Sequence, residues 1–462
     1  MTDVTSPHSP PLRVGQHLDL TVDDLDQEGR GVGRSEGQVV FVAGGLPGER
    51  LRVRLSHRAR RHWFAELEER LHSSPDRRRP PCILAERCGG CTLQPLEDHA
   101  QHHWKQQRVA EALRRIADLE IPLRPLRAAA EGLGYRNRAV LPLERREGRL
   151  RAGYYRRGSH QIVNLNHCPV LDPRLDRLIA PIKRDLESTA WPVDRHSGGE
   201  GGGLRHLALR VGHHSGEVLI TLIASHERLP GLAALAADWM RRWPEVVGVC
   251  LNLQRQSGNR LMGEETRVIA GRGEIREHFA GVALRIAADS FFQVHTPQAE
   301  QVVPLLREVL GTERGRLLDA YCGIGTFCLP LAASGWQVYG IEQQASAVAL
   351  ARRNAAANGL AERAHFEEAS VGTVLAERLS DATPPWSALF VDPPRKGLEP
   401  ETLSVLQNLG PPLLLYLSCD PATLARDLGS LCREGGYRGR WLQPLDFFPN
   451  TSHVETLAVL ER

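Results

Sequence analysis

The 462 residues carry 58 Lys and Arg against 55 Asp and Glu, a formal net charge of +3, with 42% hydrophobic and 24% charged residues. So small a charge does not by itself argue for a nucleic-acid partner, and the length suffices for two to four globular domains whose cores need no disulfides. Apolar runs all fall short of the roughly 20 residues that a membrane helix requires.

Met1 to Pro11 is polar and proline-rich. It has neither the apolar stretch of a signal peptide nor an Arg-rich amphipathic pattern, so a loose tail on a soluble, cytoplasmic protein is expected. Lysine occurs only at Lys105, Lys183 and Lys396, and arginine supplies nearly all the positive charge. Guanidinium forks suit bidentate phosphate contacts, although a GC-rich genome produces the same bias.

From Leu12 to about Leu71 short apolar stretches alternate with glycine turns: Gly29-Arg30-Gly31-Val32-Gly33, Val39-Val40-Phe41-Val42, and Gly44-Gly45-Leu46-Pro47-Gly48-Glu49. Short strands between such turns predict a small β-barrel. Arg52 and Arg54, followed by Arg58, Arg60, Arg61, Trp63 and Phe64, form a basic face with aromatics suited to RNA. A charged, solvated edge strand gives the same pattern. The GxGxGR turn, the VVFV strand and the LPGER turn resemble the TRAM domain, an OB-like RNA-binding module, so residues 1–72 are assigned to it.

Residues 73–283 mix a helical stretch, His99 to Leu119, with β-like segments such as Gly153-Tyr154-Tyr155 and Leu207 to Val211, an α+β domain. Arg136, Arg138, Arg145, Arg146, Arg149, Arg151, Arg156 and Arg157 alternate with Tyr135, Tyr154 and Tyr155. That reads as a phosphate-and-base surface or as a charge-laced hairpin. Ser197 to Gly203 is a glycine-rich loop. Cys82, Cys88 and Cys91 form C-x5-C-x2-C, with Cys168-Pro169 as a fourth thiol. Without a secretory signal the cluster suits a metal centre better than disulfides. By spacing alone it is open to zinc or an iron–sulfur cluster, the second fitting three clustered Cys plus a distant Cys-Pro.

From about Leu284 to the end strands alternate with helices, the pattern of a doubly wound α/β sheet. Expected strands are Arg316 to Ala320, Gln337 to Ile341, Ala388 to Val391, Leu413 to Ser418 and Val454 to Leu460. Helices begin near Phe327 and run from Ser346 to Asn358, where Gly359 ends the second. Asp319-Ala320-Tyr321-Cys322-Gly323-Ile324-Gly325-Thr326 is a strand-to-helix turn that lets a ligand approach the backbone, and Glu342 stands where an acid can bind both ribose hydroxyls. Asp392-Pro393-Pro394-Arg395 points to a methyl donor. A nicotinamide dehydrogenase would have a third glycine where this chain has Cys328, and adenine amino-methyltransferases carry an aromatic where it has Arg395.

Cys419 ends a strand and precedes a helix beginning at Pro421, a place where thiol pKa values fall, so a thiolate nucleophile is expected there. Thiolate addition to carbon 6 of uracil makes carbon 5 nucleophilic, and Glu455 on the last strand is a base for the carbon-5 proton. Taken singly, Cys419 reads equally well as an inert buried thiol and Glu455 as a surface carboxylate.

Phe292-Gln293-Val294, Asp319 to Phe327, Asp392 to Arg395, Ser418 to Asp427 and Phe448 to Glu455 together resemble the RNA uracil-5-methyltransferase family, specifically its 23S ribosomal RNA branch with TRAM and iron–sulfur elements. The resemblance covers nearly the whole chain. It implies a Rossmann-like class I, seven-stranded S-adenosylmethionine-dependent domain over residues 284–462. Cys419 is then the nucleophile and Glu455 the proton acceptor, with cofactor contacts from Gln293, Tyr321, Glu342 and Asp392. It also implies a structural [4Fe-4S] cluster on Cys82, Cys88, Cys91 and Cys168. His295 stands where relatives often have Asn, and Tyr321 and Thr326 where they have Phe and Asn, which leaves individual cofactor hydrogen bonds open. The expected protein is a monomer that binds RNA, 23S ribosomal RNA in particular, but neither DNA nor membranes. The rival expectations are a transfer-RNA uridine methyltransferase of the same family and an inactive RNA-binding ribosome-assembly protein.

Overall fold

The computed structural model describes residues 12–194, 202–256, 258, 260–380 and 385–462. The expected tail, residues 1–11, and most of the glycine-rich stretch beginning at Ser197 lie outside the described residues. The chain forms two compact units, one of residues 1–101 with 450–452 and one of residues 102–449 with 453–462. Among the described residues no helix is long and apolar enough to cross a membrane.

In the first unit β1 (His17–Leu25), β2 (Gly31–Ser35), β3 (Gln38–Val42), β4 (Arg50–Arg58) and β5 (His62–His72) close a barrel in the order β1-β2-β3-β5-β4. Alternation makes it: on β4, Leu51, Val53 and Leu55 point inward while Arg50, Arg52 and Arg54 point out. At Gly33 a Cβ would sit 2.3 Å from the Thr21 carbonyl oxygen, so the strand pair needs glycine there. Glu49 of the LPGER turn is wholly buried, accepting from Leu46 N at 2.9 Å and Arg77 Nε at 2.5 Å. That motif therefore secures the barrel.

Two arginines of the expected basic face are paired with carboxylates. Arg52 pairs with Asp19 and Glu69, and Arg54 with Glu66 and Glu68. Trp63 is a core residue, and the aromatic cluster at the surface is instead Phe41, His57, His62 and Phe64, with the Arg30 guanidinium over the two Phe rings.

α1 (Asp98–Ala112) runs into one π turn, Leu113–Ala117, which ends where Asp118 takes φ +52°. The second unit holds a seven-stranded sheet of β6 (Arg138–Arg146), β7 (Arg149–Tyr155), β8 (Ile162–Asn164), β9 (Leu204–Val211), β10 (Val218–Ala224), β11 (Val246–Leu253) and β12 (Glu265–Gly271), in the order β12-β11-β10-β9-β6-β7-β8. α2 (Pro173–Glu187) and α3 (Leu232–Arg242) accompany it, and the hairpin β13 (Glu274–Phe279) and β14 (Val282–Ala287) follows. Arg138 of the expected surface is half-buried, which lowers its guanidinium pKa, as does neighbouring Arg136.

The last sheet is doubly wound. Its strands are β15 (Arg316–Ala320), β16 (Gln337–Glu342), β17 (Ala364–Glu368), β18 (Ala388–Val391), β19 (Leu413–Ser418), β20 (Arg438–Leu445) and β21 (Glu455–Glu461), ordered β17-β16-β15-β18-β19-β21-β20. β21 is antiparallel to both its neighbours. After α4 (Thr296–Glu300), the helices α5 (Val302–Leu310), α6 (Cys328–Ala333) and α7 (Ala345–Ala357) share one core with the β13–β14 hairpin. α8 (Val371–Ser380), α9 (Pro400–Leu409) and α10 (Pro421–Glu434) pack into another with the π turn. The continuous apolar run Leu413 to Leu417 reflects a strand covered on both faces.

Candidate active site

The strand order reverses between β15 and β18, and ligands of open α/β sheets bind outside the carboxyl ends of strands at such a point. Tyr321 follows β15, Glu342 ends β16, Asp392 follows β18 and Cys419 follows β19, so all four lie along that edge. Tyr321 takes φ +71°, a left-handed conformation that a non-glycine residue holds only where its surroundings impose it. Glu342 accepts from Gly323 N at 3.2 Å and Gln344 N at 2.9 Å, tying the glycine turn to the next strand.

Gln293 Nε2 donates to Asp392 Oδ2 at 3.2 Å. Burial pushes the Asp392 carboxyl up to about 7, with the Gln293 bond pulling the other way. The loop carrying Gln293 is fixed by Asn137, whose Nδ2 donates to Gln293 O at 2.9 Å and to Thr296 Oγ1 at 3.0 Å. Asn137 stands between two arginines, and nothing in the sequence marked it. Asp319 is buried, which drives its carboxyl well above the usual range, and its Oδ2 has no hydrogen-bond partner among the described residues.

Ser418, the last residue of β19, pairs with Thr456 on β21, so Cys419 just past β19 and Glu455 at the start of β21 lie at the same end of the ladder. The Glu455 carboxyl is near enough to the Cys419 sulfur to act on its charge. Glu455 is buried, and burial, then the Asp392 charge, drive its carboxyl well above the ordinary range, Arg395 opposing. Its Oε2 has no hydrogen-bond partner among the described residues.

At Cys419 the helix start expected to lower the thiol is opposed by its surroundings. Burial, followed by the Glu455 and Asp392 charges, pushes the thiol up to about 12, and Arg395 offsets only part of this. The helix terminus does not rescue it, because Asp420 Oδ1 already accepts from Ala422 N and Thr423 N at 2.9 Å each. A buried ion pair secures the segment leading to Glu455: Lys105 Nζ lies 2.6 Å from Asp446 Oδ1 and donates to Phe448 O at 2.9 Å. His453, held down to about 4 by burial and by Arg395, Lys105, Arg108 and Arg136, is a further residue beside the site that spacing did not single out.

Of the four expected cluster ligands, Cys82, Cys88 and Cys91 lie in the first unit and Cys168 in the second, all half-buried. Among the described residues no three His, Cys, Asp or Glu side chains are gathered as a metal-holding group. Leu84 N and Gly90 N do direct hydrogens at the Cys82 and Cys88 sulfurs, each at 3.4 Å.

A family model described as tRNA (uracil-5-)-methyltransferase matches residues 214–462, and a TRAM domain model matches residues 11–67. An uncharacterized RNA methyltransferase of Parasynechococcus marenigrum is 50% identical, covering 100% of this chain and 99% of that protein. One from Thermosynechococcus vestitus is 46% identical over 96% of this chain and 98% of its own length. Among solved structures, the Pyrococcus abyssi tRNA (uracil-54, C5)-methyltransferase in complex with S-adenosyl-L-homocysteine aligns with TM-score 0.74 at 28% identity, covering 96% of this chain and 100% of that one.

Proposed function

Because the chain belongs to the tRNA (uracil-5-)-methyltransferase family, and so is an RNA methyltransferase with a TRAM domain, we propose that it methylates carbon 5 of a uridine in RNA with S-adenosylmethionine as donor. The observation that supports this reading is that Cys419 and Glu455 flank the Ser418–Thr456 pair, with Asp392 within electrostatic reach of both.

The donor fits the residues present: the Glu342 carboxylate suits two ribose hydroxyls, while Gln293, Tyr321, Asp392 and the orphaned Asp319 oxygen line the same strand ends. It supplies an electrophilic methyl group carried on a sulfonium. Cys419 Sγ bonds to carbon 6 of the flipped uracil, and its proton passes to the Asp392 carboxylate within its electrostatic reach, which leaves Glu455 unprotonated for the later step. Carbon 5 then takes the methyl group. Glu455 removes the carbon-5 proton, and those electrons re-form the ring double bond and expel the Cys419 sulfur. A carboxyl raised by burial is a stronger proton acceptor than an exposed one. RNA containing 5-fluorouridine, whose fluorine cannot leave as a proton, should form a stable covalent adduct with the wild-type protein. An adduct that persists in Cys419→Ala would remove Cys419 from this role, and a wild type giving neither adduct nor methylation would favour the inactive RNA-binding rival.

The substrate proposed is 23S ribosomal RNA, supported by the resemblance of barrel and cysteine spacing to that branch. Transfer RNA, the substrate named for the P. abyssi protein, is the alternative. Mapping carbon-5 methyluridines in both RNAs of a deletion strain separates them. A [4Fe-4S] cluster on Cys82, Cys88, Cys91 and Cys168 is proposed on the spacing and on the two backbone N–H groups aimed at sulfur, which suit thiolates. No catalytic step runs through it.

A further inference from the structure

The arginine run of the second unit is divided by its fold. Arg145 is spent on backbone, donating to the carbonyls of Gly148, Glu187 and Thr189. Arg146, Arg149 and Arg151 instead meet Lys183 and Arg184 of α2 around an open cavity of about 890 Å³. Five cationic side chains line it; Arg151 is paired with Glu144 at 3.1 Å and Arg146 with Glu147 at 3.7 Å, which leaves Arg149, Lys183 and Arg184 against Glu187. Glu187 is partly engaged, its Oε2 accepting from Leu150 N at 2.6 Å.

Lys183 is the informative residue. It is only 6% exposed, yet its three N–H donors go to neutral oxygens: Asn164 Oδ1, Leu165 O and Asn166 Oδ1, each at 2.7 Å. A buried charge is ordinarily matched by an opposite one at contact, and here the hydrogen bonds all go to neutral oxygens, with Glu187 acting only at a distance. The strain shows in the ammonium, which burial lowers to about 8 despite Glu187. In front of it Arg149 and Arg184 are exposed, with guanidinium groups that suit bidentate contact with phosphate.

We propose that this cavity between the β6–β7 hairpin, β8 and α2 is a docking site for a phosphodiester of the RNA substrate, with Arg149 and Arg184 as direct contacts and Lys183 as the fixed charge behind them. The inference rests on the RNA-methylating reading and adds a second point of grip away from the reacting base. A phosphate here brings no sequence discrimination; it sets where the RNA lies.

The test uses the full-length protein, with deproteinised 23S ribosomal RNA and bulk transfer RNA as separate probes, and binding measured from low to moderate salt. Each phosphate contact contributes about 0.7 to 0.9 to the slope of log affinity against log salt, so Arg149→Gln with Arg184→Gln, which together lose the one phosphodiester, should flatten the slope by about 0.7 to 0.9 and weaken low-salt binding roughly tenfold. Lys183→Met should weaken binding with a smaller change in slope, since it makes no direct contact. Both arginines are exposed, so folding should be untouched, and S-adenosylhomocysteine affinity should match wild type. A double variant that binds RNA with wild-type affinity and slope overturns the proposal. A wild type that binds neither RNA overturns the RNA reading itself.

Discussion

The thiol of Cys419 gives the sharpest quantitative test. An ordinary cysteine with pKa near 8.5 is roughly one-quarter thiolate at pH 8, whereas one at about 12 is ionised in roughly one molecule in ten thousand. The more basic thiolate is intrinsically more nucleophilic, by about 40-fold for a Brønsted slope of 0.4 to 0.5. Together these leave Cys419 reacting with a small aromatic disulfide some 60 times more slowly than a free thiol at pH 8. Its rate should climb tenfold per pH unit from about pH 7 to 10 without levelling off. Replacing Glu455 by Gln removes a charge that raises this pKa, so the same reaction should accelerate while methyl transfer collapses. Stopped-flow kinetics, with peptide mass mapping to isolate Cys419 from the other cysteines, measures both. A plateau below about pH 9, or a Glu455→Gln protein whose thiol reacts more slowly, would refute the electrostatic argument.

Lys105→Met should cost about 3–5 kcal/mol in urea unfolding, because it strands the Asp446 carboxylate in the interior. Burial pushes the Asp446 carboxyl up, but Lys105 and His102 outweigh it and hold it below its ordinary value. Its contribution is therefore present above about pH 4 and is lost as pH falls through the lower folded value, so the gap between wild type and variant should narrow on acidification. Gln293→Ala should weaken S-adenosylhomocysteine binding by about tenfold or more, measured calorimetrically; an unchanged affinity would take Gln293 out of the cofactor site. Gly33→Ala should destabilise the barrel by about 1–3 kcal/mol through the Thr21 contact, read as faster amide exchange in its strands.

Much of the catalytic sheet was legible. The expected strands from Arg316, Ala388 and Leu413 match the observed bounds, and the last begins one residue later than expected, at Glu455. Buried strands between glycine turns leave a strong local trace. What stayed hidden depends on partners distant in sequence. Arg52 and Arg54 read as an RNA face because Asp19, Glu66 and Glu69 lie opposite only once the barrel closes. Arg138 lies in an arginine-rich hairpin, yet its strand pairs with β9 and sets it opposite buried Arg210. The thiol of Cys419 was misjudged for the same reason: the helix start is local information, while two acids arriving from β18 and β21 are not.

One consequence follows from β21 lying between β19 and β20 and antiparallel to both. The paired backbones of Ser418 and Thr456 lie some 5 Å apart, so the strand ends that lead to the sulfur and the carboxyl keep their alignment. A slip of that strand by a single position would turn the acid to the opposite side of the sheet and move every apolar neighbour with it. The hydrophobic side chains that stabilise the sheet thus also guard the alignment of the two reacting groups, and a variant with proper core packing cannot easily misplace them.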